Sequence, residues 1–362
     1  MKIKYYNELD GVRGIAAFMV MLLHFSYFIK DPRVFKLISS FSFLGEFGVT
    51  LFFVLSGFLI TRILLSSKEN NNYFSNFYIR RALRIFPLYY LFLILMYLVY
   101  PIISSVAFVP FGQQICYWIY LQNFAISFKW QEIGPGHFWS LAVEEHFYFF
   151  WPILVFYLAK TNIRKSVYAI CILAFLLRVV LSSKGIDVYY NTFTRIDSLA
   201  MGALLAIIEL ENKMNVGIKK QFLSGFFISL IVTLVLGYLT SGERNIAMQS
   251  IKYVLINAVC YTFIGYIISA GADNFLSKIL KTGPFKYTGK ISYGLYIYHP
   301  FCFDFLAAHF KLYGRYLILD FILSFLFCYL VATASYYLFE IRFLKLKKKF
   351  KYEELVPAPE II

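Results

Sequence analysis

The chain has 362 residues, of which 60% are hydrophobic and only 15% charged, against roughly 45–50% and about 25% in an ordinary soluble domain. Phe and Tyr supply 41 and 30 residues, more aromatic surface than one water-soluble core can hide, whereas a helical bundle can turn it toward acyl chains and interfaces. A formal net charge of +15 would suggest nucleic acid for a soluble protein, but the basic residues fall between apolar runs, so they read as topology signals and no nucleic-acid partner is expected.

A membrane helix needs about 20 mostly apolar residues, and ten segments approach that length: 9–29, 40–64, 85–109, 139–159, 167–182, 193–210, 221–240, 252–271, 291–310 and 317–340. The expected fold class is all-α, a polytopic transmembrane bundle of about ten spans. The first run follows Lys2 and Lys4 as a signal peptide would, yet it contains Arg13 and His24 and no small-residue cleavage site, so it is expected to be retained. The fifth and sixth spans are short, which predicts tilt, a broken helix or burial within the bundle. Residues 112–126 are apolar and aromatic but too short to cross, and read as an interfacial or re-entrant piece.

Lys and Arg concentrate in alternate connections. One set holds Lys68, Arg80, Arg81, Arg84, then Lys160, Arg164, Lys165, Lys213, Lys219, Lys220, Lys278, Lys281, Lys286, Lys290 and a basic tail; the other holds Lys30, Arg33, Lys36, Lys129, Lys184, Arg244, Lys311 and Arg315. The bias places both termini in the cytosol. Residues 1–345 are expected to form the transmembrane unit and 346–362 a cytosolic basic tail, leaving any chemistry to the bundle. Cys116, Cys171, Cys260, Cys302 and Cys328 have no CxxC spacing and read as packing residues, so neither a disulfide framework nor a metal is expected.

Ionisable groups inside spans are costly and mark function. Arg13 and His24 are eleven positions apart; at about 100° per residue they project from one helix face, separated by about 16 Å along the axis. Arg80, Arg81 and Arg84 converge at the start of the third span, and guanidinium forks suit phosphate, although such a cluster also serves as a plain topology anchor. In the segment from His137 to Tyr148, Glu144 shares a face with His137, Ser140, Phe147, Tyr148 and Trp151, a polar stripe fading into an aromatic one. Its carboxylate could orient His24 or a sugar hydroxyl. Weaker candidates are Arg195 and Asp197, which could simply pair with neighbouring helices, and the run 291–300, where Ser292, Tyr296 and His299 line one face beside Tyr293. His299 is expected about eight residues deep from the cytosol. P-loop, GxGxxG, HExxH and GxSxG patterns are absent, so nucleotide, dinucleotide, zinc-protease and α/β-hydrolase chemistries lack support.

Six stretches in order carry a resemblance: Glu8 onward to His24, Gly48 to Ile60, Phe77 to Tyr89, Trp139 to Pro152, Arg195 to Gly202, and Gly289 to Pro300. Together they resemble the membrane-bound acyltransferase 3 family, whose hallmark is an Arg and a His separated by ten residues. The resemblance implies an O-acyltransferase of the bacterial cytoplasmic membrane, commonly an O-acetyltransferase, with acetyl-CoA or another acyl-CoA as donor. The implied acceptor is a cell-surface polysaccharide, a lipid-linked glycan or a related hydroxyl compound. By position, His24 is the implied catalytic His, Arg13 its partner, Arg81 and Arg84 the paired Arg motif near the donor, and Glu144 the family carboxylate. His146 stands where Gln is common, which puts its role in doubt. The esterase-like domain fused to some members is not expected here.

The mechanism this suggests has Arg80, Arg81 and Arg84 holding CoA phosphates while the thioester points toward His24. His24 then acts either as general base toward the acceptor hydroxyl or as a transiently acylated nucleophile. A transporter or lipid flippase is the rival reading, its buried charges forming a substrate or proton path. Acceptor-dependent release of free CoA supports the enzyme, and counterflow without thioester cleavage supports transport. A scaffold subunit would have no need of Arg13 and His24 on one face.

Overall fold

A computed structural model of the chain describes residues 4–29, 43–211, 214–240, 246–270, 274–310 and 316–350. Within lipid only structures that pair every backbone N–H and C=O internally are viable, and the described residues form helices and no strand. In chain order these are α1 (Glu8–Ser26), α2 (Phe43–Ser66), α3 (Tyr73–Ile94, continued through a π-turn to Ser104), the short α4 (Phe111–Trp118) and α5 (Gln122–Ser127), and α6 (Trp139–Tyr157). There follow α7 (Lys160–Ser183), α8 (Thr192–Leu210), α9 (Val216–Leu239), α10 (Ile246–Ala270), a short helix Phe275–Leu280, α11 (Gly283–Phe310) and α12 (Leu317–Ser335, continued through a π-turn to Leu346).

Among the described residues, seven helices are long and apolar enough to cross a membrane: α1, α2, α3, α7, α9, α10 and α12 with its continuation. The helices α6, α8 and α11 match them in length but fall short in apolarity, because they carry Glu144, Glu145, Arg195, Asp197 and His299. Among the apolar helices α7, α9 and α12 lie outermost, whereas α2 is largely buried beside the polar α8. Thus α9 buries only Phe222, while α8 buries Thr192, Arg195, Asp197 and Ser198 among many others.

Three boundaries differ from those expected. The third helix starts at Tyr73, so Arg80, Arg81 and Arg84 sit within it. The fifth span is not short, since α7 runs from Lys160; hydropathy cut off its first turns, where Arg164 reaches out to Glu211 at 2.6 Å, as long basic side chains do at a helix end. The ninth begins at Gly283 instead of 291, which sets His299 two turns deeper than the sequence suggested. Residues 112–126 become α4 and α5, folded into the bundle with Gln122 and Asn123 fully buried. The expected topology signals Lys2, Lys30, Arg33, Lys36, Lys213, Arg244, Lys311, Arg315 and Lys351, and the tail beyond 350, lie outside the described residues.

The helices α1 and α11 run parallel: Gly289 meets Asp10 at one end, and Phe303 meets Phe25 at the other. A Cβ on Gly289 would stand 1.9 Å from the Asp10 carbonyl oxygen, so only glycine permits this approach, the small-residue contact by which membrane helices pack. That closeness brings His24 and His299 together further along.

Two buried ion pairs lie away from the cavity described below. Arg178 and Asp197, with side chains 0% and 4% exposed, meet at 2.8 Å, and Arg62 clasps Glu209 at 2.9 Å. Removing one partner of a buried pair strands the other charge, at a cost of about 3–5 kcal/mol. Asp197→Ala is therefore expected to lower the melting temperature of the detergent-purified protein sharply and reduce its membrane abundance. Asp197→Asn, which keeps an oxygen to accept from Arg178, should lose clearly less.

Candidate active site

A cavity opens between α1, α2, α3, α6 and α11, and every one of these helices contributes to its polar lining: Arg13, Ser56, Arg81, Arg84, Glu144, Glu145, Tyr148 and Tyr296 among others. Each position follows from helical spacing. Arg81 and Arg84 are one turn apart on α3, and Ser140, Glu144 and Tyr148 stack at i, i+4 and i+8 on α6. Arg13 pairs with Asp10 at 2.6 Å, and Asp10 also accepts from the Tyr5 hydroxyl at 2.5 Å. Burial, then this hydrogen bond, pushes the Tyr5 phenol well above its usual range, which keeps it a donor. Tyr148 donates to Glu144 at 2.9 Å and accepts from Ser56; Arg81 lies over the Tyr148 ring at 5.3 Å. No carboxylate closes an ion pair on Arg81 or Arg84 among the described residues. Two guanidinium groups lining a cavity without such a partner leave their donors free to meet an anion.

Beyond Ser140 the cavity meets a second polar group. Ser140 donates to the Tyr296 hydroxyl at 2.5 Å, and Tyr296 donates to the backbone carbonyl of His137 at 2.6 Å. His137 belongs to a cluster with His24 and His299: the ring of His299 lies 4.8 Å from that of His24 and 5.3 Å from that of His137. His24 Nδ1 stands 3.1 Å from His299 Nε2.

Backbone carbonyls set the tautomers. A carbonyl only accepts, so a ring nitrogen beside one carries the hydrogen. His299 Nδ1 faces the carbonyls of Leu295 at 3.0 Å and Tyr296 at 2.9 Å. The second of these is available because residue 300 is Pro, which has no N–H to close the i to i−4 bond on Tyr296. With the hydrogen on Nδ1, His299 Nε2 presents a lone pair to His24. His24 Nδ1 lies 2.9 Å from the Val20 carbonyl, so it carries the hydrogen and shares it between Val20 and His299. The basic nitrogen of His24 is then Nε2.

The structure thus divides the sequence candidates into groups. Arg13, Arg81, Arg84, Ser140, Glu144 and Tyr293 line the cavity. His24 and His299 form the histidine cluster. Arg13 is about 16 Å from His24 along α1 and pairs with Asp10, so the two share a face without touching. Glu144 does not orient His24 either; it lies one turn beyond Ser140 toward Arg81, held by Tyr148. Arg80 turns away from the cavity to donate to the carbonyls of Lys347 and Phe350 at 3.1 and 2.9 Å, leaving two of the three arginines to face it. Arg195 donates to Thr50 at 2.9 Å and lies 4.4 Å over the Tyr253 ring, while Asp197 is held by Arg178. His146 bonds Thr192 at 2.7 Å and stacks on Phe124. Tyr293 donates to the Ile85 carbonyl at 2.8 Å. Sequence reasoning missed two residues: His137, left as one member of a stripe, and Glu145, whose buried Oε1 has no hydrogen-bond partner among the described residues. The buried-charge rule applied to Glu145, adjacent to Glu144, was the available signal. No group of His, Cys, Asp and Glu that could hold a metal occurs among the described residues.

The acyltransferase 3 family, described as an acyltransferase domain, matches residues 6–340. Similar curated proteins include the peptidoglycan O-acetyltransferase OatA of Listeria monocytogenes, 29% identical over 82% of this chain and 49% of that protein. The putative peptidoglycan O-acetyltransferase YrhL of Bacillus subtilis is 27% identical over 82% of this chain and 48% of its own length. The O-acetyltransferase OatA of Staphylococcus aureus is 25% identical over 98% of this chain and 59% of its own length. The chain therefore spans about half to three fifths of the relatives it matches, and no solved structure matches it. With 335 consecutive positions inside the family match and apolar helices long enough to cross a membrane among the described residues, the chain belongs to the acyltransferase 3 family.

Proposed function

We propose that the chain is an O-acetyltransferase of the bacterial cytoplasmic membrane that moves an acetyl group from acetyl-CoA to a hydroxyl of a cell-wall glycan or its lipid-linked precursor. The observation that carries this reading is the continuity of the cavity. It begins at Arg81 and Arg84, which lack carboxylate partners, and ends at Tyr296, which is bonded to His137 of the histidine cluster. In this reading CoA phosphates rest on Arg81 and Arg84, with Arg13 supplying further positive charge. Glu144 and Tyr148 lie along the path of the pantetheine arm, and the thioester reaches His24 across the 16 Å or so that separate the ends of α1's polar face. His24 Nε2 is the general base for the acceptor hydroxyl. The α3 end faces the cytosol, in keeping with the Lys and Arg distribution, and the His24 end faces the acceptor. The names of the relatives favour peptidoglycan as acceptor.

The test uses the purified full chain in proteoliposomes with radiolabelled acetyl-CoA. Label appearing in added peptidoglycan fragments or lipid-linked glycan, with one free thiol released per acetyl group, is the expected result. Release of CoA that ignores the acceptor, or glycan counterflow without thioester cleavage, would overturn it.

A further inference from the structure

We infer that His299 is a positioning residue for the transfer, the acceptor that fixes His24 with its lone pair on Nε2. The inference rests on the proposed acyl transfer with His24 as base, and assigns to α11 the role of orienting it.

Three observations converge. His299 is fully buried, and its Nδ1 is committed to backbone carbonyls. Pro300 vacates one of those carbonyls, so the sequence His299-Pro300 itself defines which ring nitrogen faces His24. The remaining nitrogen, Nε2, stands 3.1 Å from His24 Nδ1, a hydrogen-bond distance that cannot hold two hydrogens. A neutral His299 therefore admits a neutral or cationic His24 whose Nδ1 carries hydrogen, and excludes the tautomer with hydrogen on Nε2. Val20 reinforces this from one turn earlier on α1, but its carbonyl already belongs to the helix ladder, whereas His299 Nε2 has no other hydrogen-bond partner among the described residues. The titratable groups facing His24 are His137 from the turn before α6, His299 from α11 and Tyr27 from the end of α1; no carboxylate is among those contacts, so a neutral imidazole takes the place a carboxylate holds in a Ser-His-Asp triad.

The step this serves is balanced on the chain's own groups and the two substrates. The acceptor O–H bond breaks as its proton joins His24 Nε2, and the oxygen bonds the acyl carbon. As the C–S bond breaks, the proton passes from Nε2 to the thiolate sulfur, returning His24 to the neutral form. While His24 is cationic, its Nδ1–H bond to His299 becomes charge-assisted and strengthens, so the contact favours the transition state over the ground state.

The experiment compares His299→Leu, His299→Gln, Pro300→Ala and His24→Gln in the proteoliposome assay, reading kcat, KM for acetyl-CoA and membrane abundance. His299→Leu is expected to lower kcat on the order of 100-fold with KM and abundance near parental. Gln can place its amide oxygen close to the position of Nε2, so His299→Gln should recover about tenfold of that loss. Pro300→Ala, which restores an N–H to compete for the Tyr296 carbonyl, should lower kcat by about tenfold without changing KM. The inference is overturned if His299→Leu retains parental kcat while His24→Gln is inactive. It is also overturned if Leu and Gln variants fall equally and in step with abundance, as a purely structural histidine would. Activity in His24→Gln would instead remove the base assignment on which the inference stands.

Discussion

His24→Gln is expected to abolish acyl transfer while the protein inserts at parental levels and still binds donor. The substitution separates chemistry from architecture. Gln can bond Val20 or His299 as the imidazole does, but its amide has no basic lone pair near neutral pH. If His24 only filled a polar gap, the variant would keep activity, and His24→Ala would reveal the role through stability, an unpaired buried partner costing about 1–3 kcal/mol. If His24 is the base, both variants lose the contribution of general base catalysis, roughly 100- to 10,000-fold. Donor binding should survive, because Arg13, which lines the proposed anion site with Arg81 and Arg84, lies about 16 Å from His24 along α1. Isothermal titration with CoA and the labelled transfer assay make the two measurements on one preparation. A Gln variant with near-parental turnover would sink the catalytic assignment.

The expectation that His24 and Arg13 share a face was legible because eleven residues return an α-helix close to its starting direction, a property of one helix alone. What they meet was not, because it depends on the crossing of α1 with α11, which Gly289 permits and hydropathy does not register. Arg13 and His24 consequently sort into two different clusters. The same limit explains Glu144: periodicity places it on a stripe with His137, but only the packing of α3 against α6 turns it toward Arg81. Boundaries were least legible where helices begin with charge, as in α7 and α11, because a window tuned to apolar residues discards the very turns that reach the interface. Within α11 the dipeptide His299-Pro300 held more than its motif value, since a missing N–H at one position settles the tautomer of its neighbour.

Arg84→Ala is expected to raise the apparent KM for acetyl-CoA by roughly 10- to 100-fold with a smaller effect on kcat. The argument begins with solvation: a guanidinium inside a helical bundle is kept because something in the cavity answers its charge. Asp10 already serves Arg13, and Glu144 is bonded by Tyr148, so Arg81 and Arg84 are the cations left to meet an incoming phosphate. A hydrogen bond involving a charged group contributes about 1.5–3 kcal/mol, and each 1.4 kcal/mol or so is tenfold in affinity, which gives the stated range. Arg84→Lys should recover part of the loss, since an ammonium keeps the charge but lacks the bidentate fork. Arg80→Ala should leave donor KM near parental, because that guanidinium is turned toward the carbonyls of Lys347 and Phe350. Salt sharpens the distinction: raising ionic strength screens an exposed anchor far more than a site enclosed by α1, α3 and α6. The three arginines should therefore separate by position within the bundle, with an unchanged donor KM in Arg84→Ala returning the cluster to a topology anchor and leaving the cavity without a donor site.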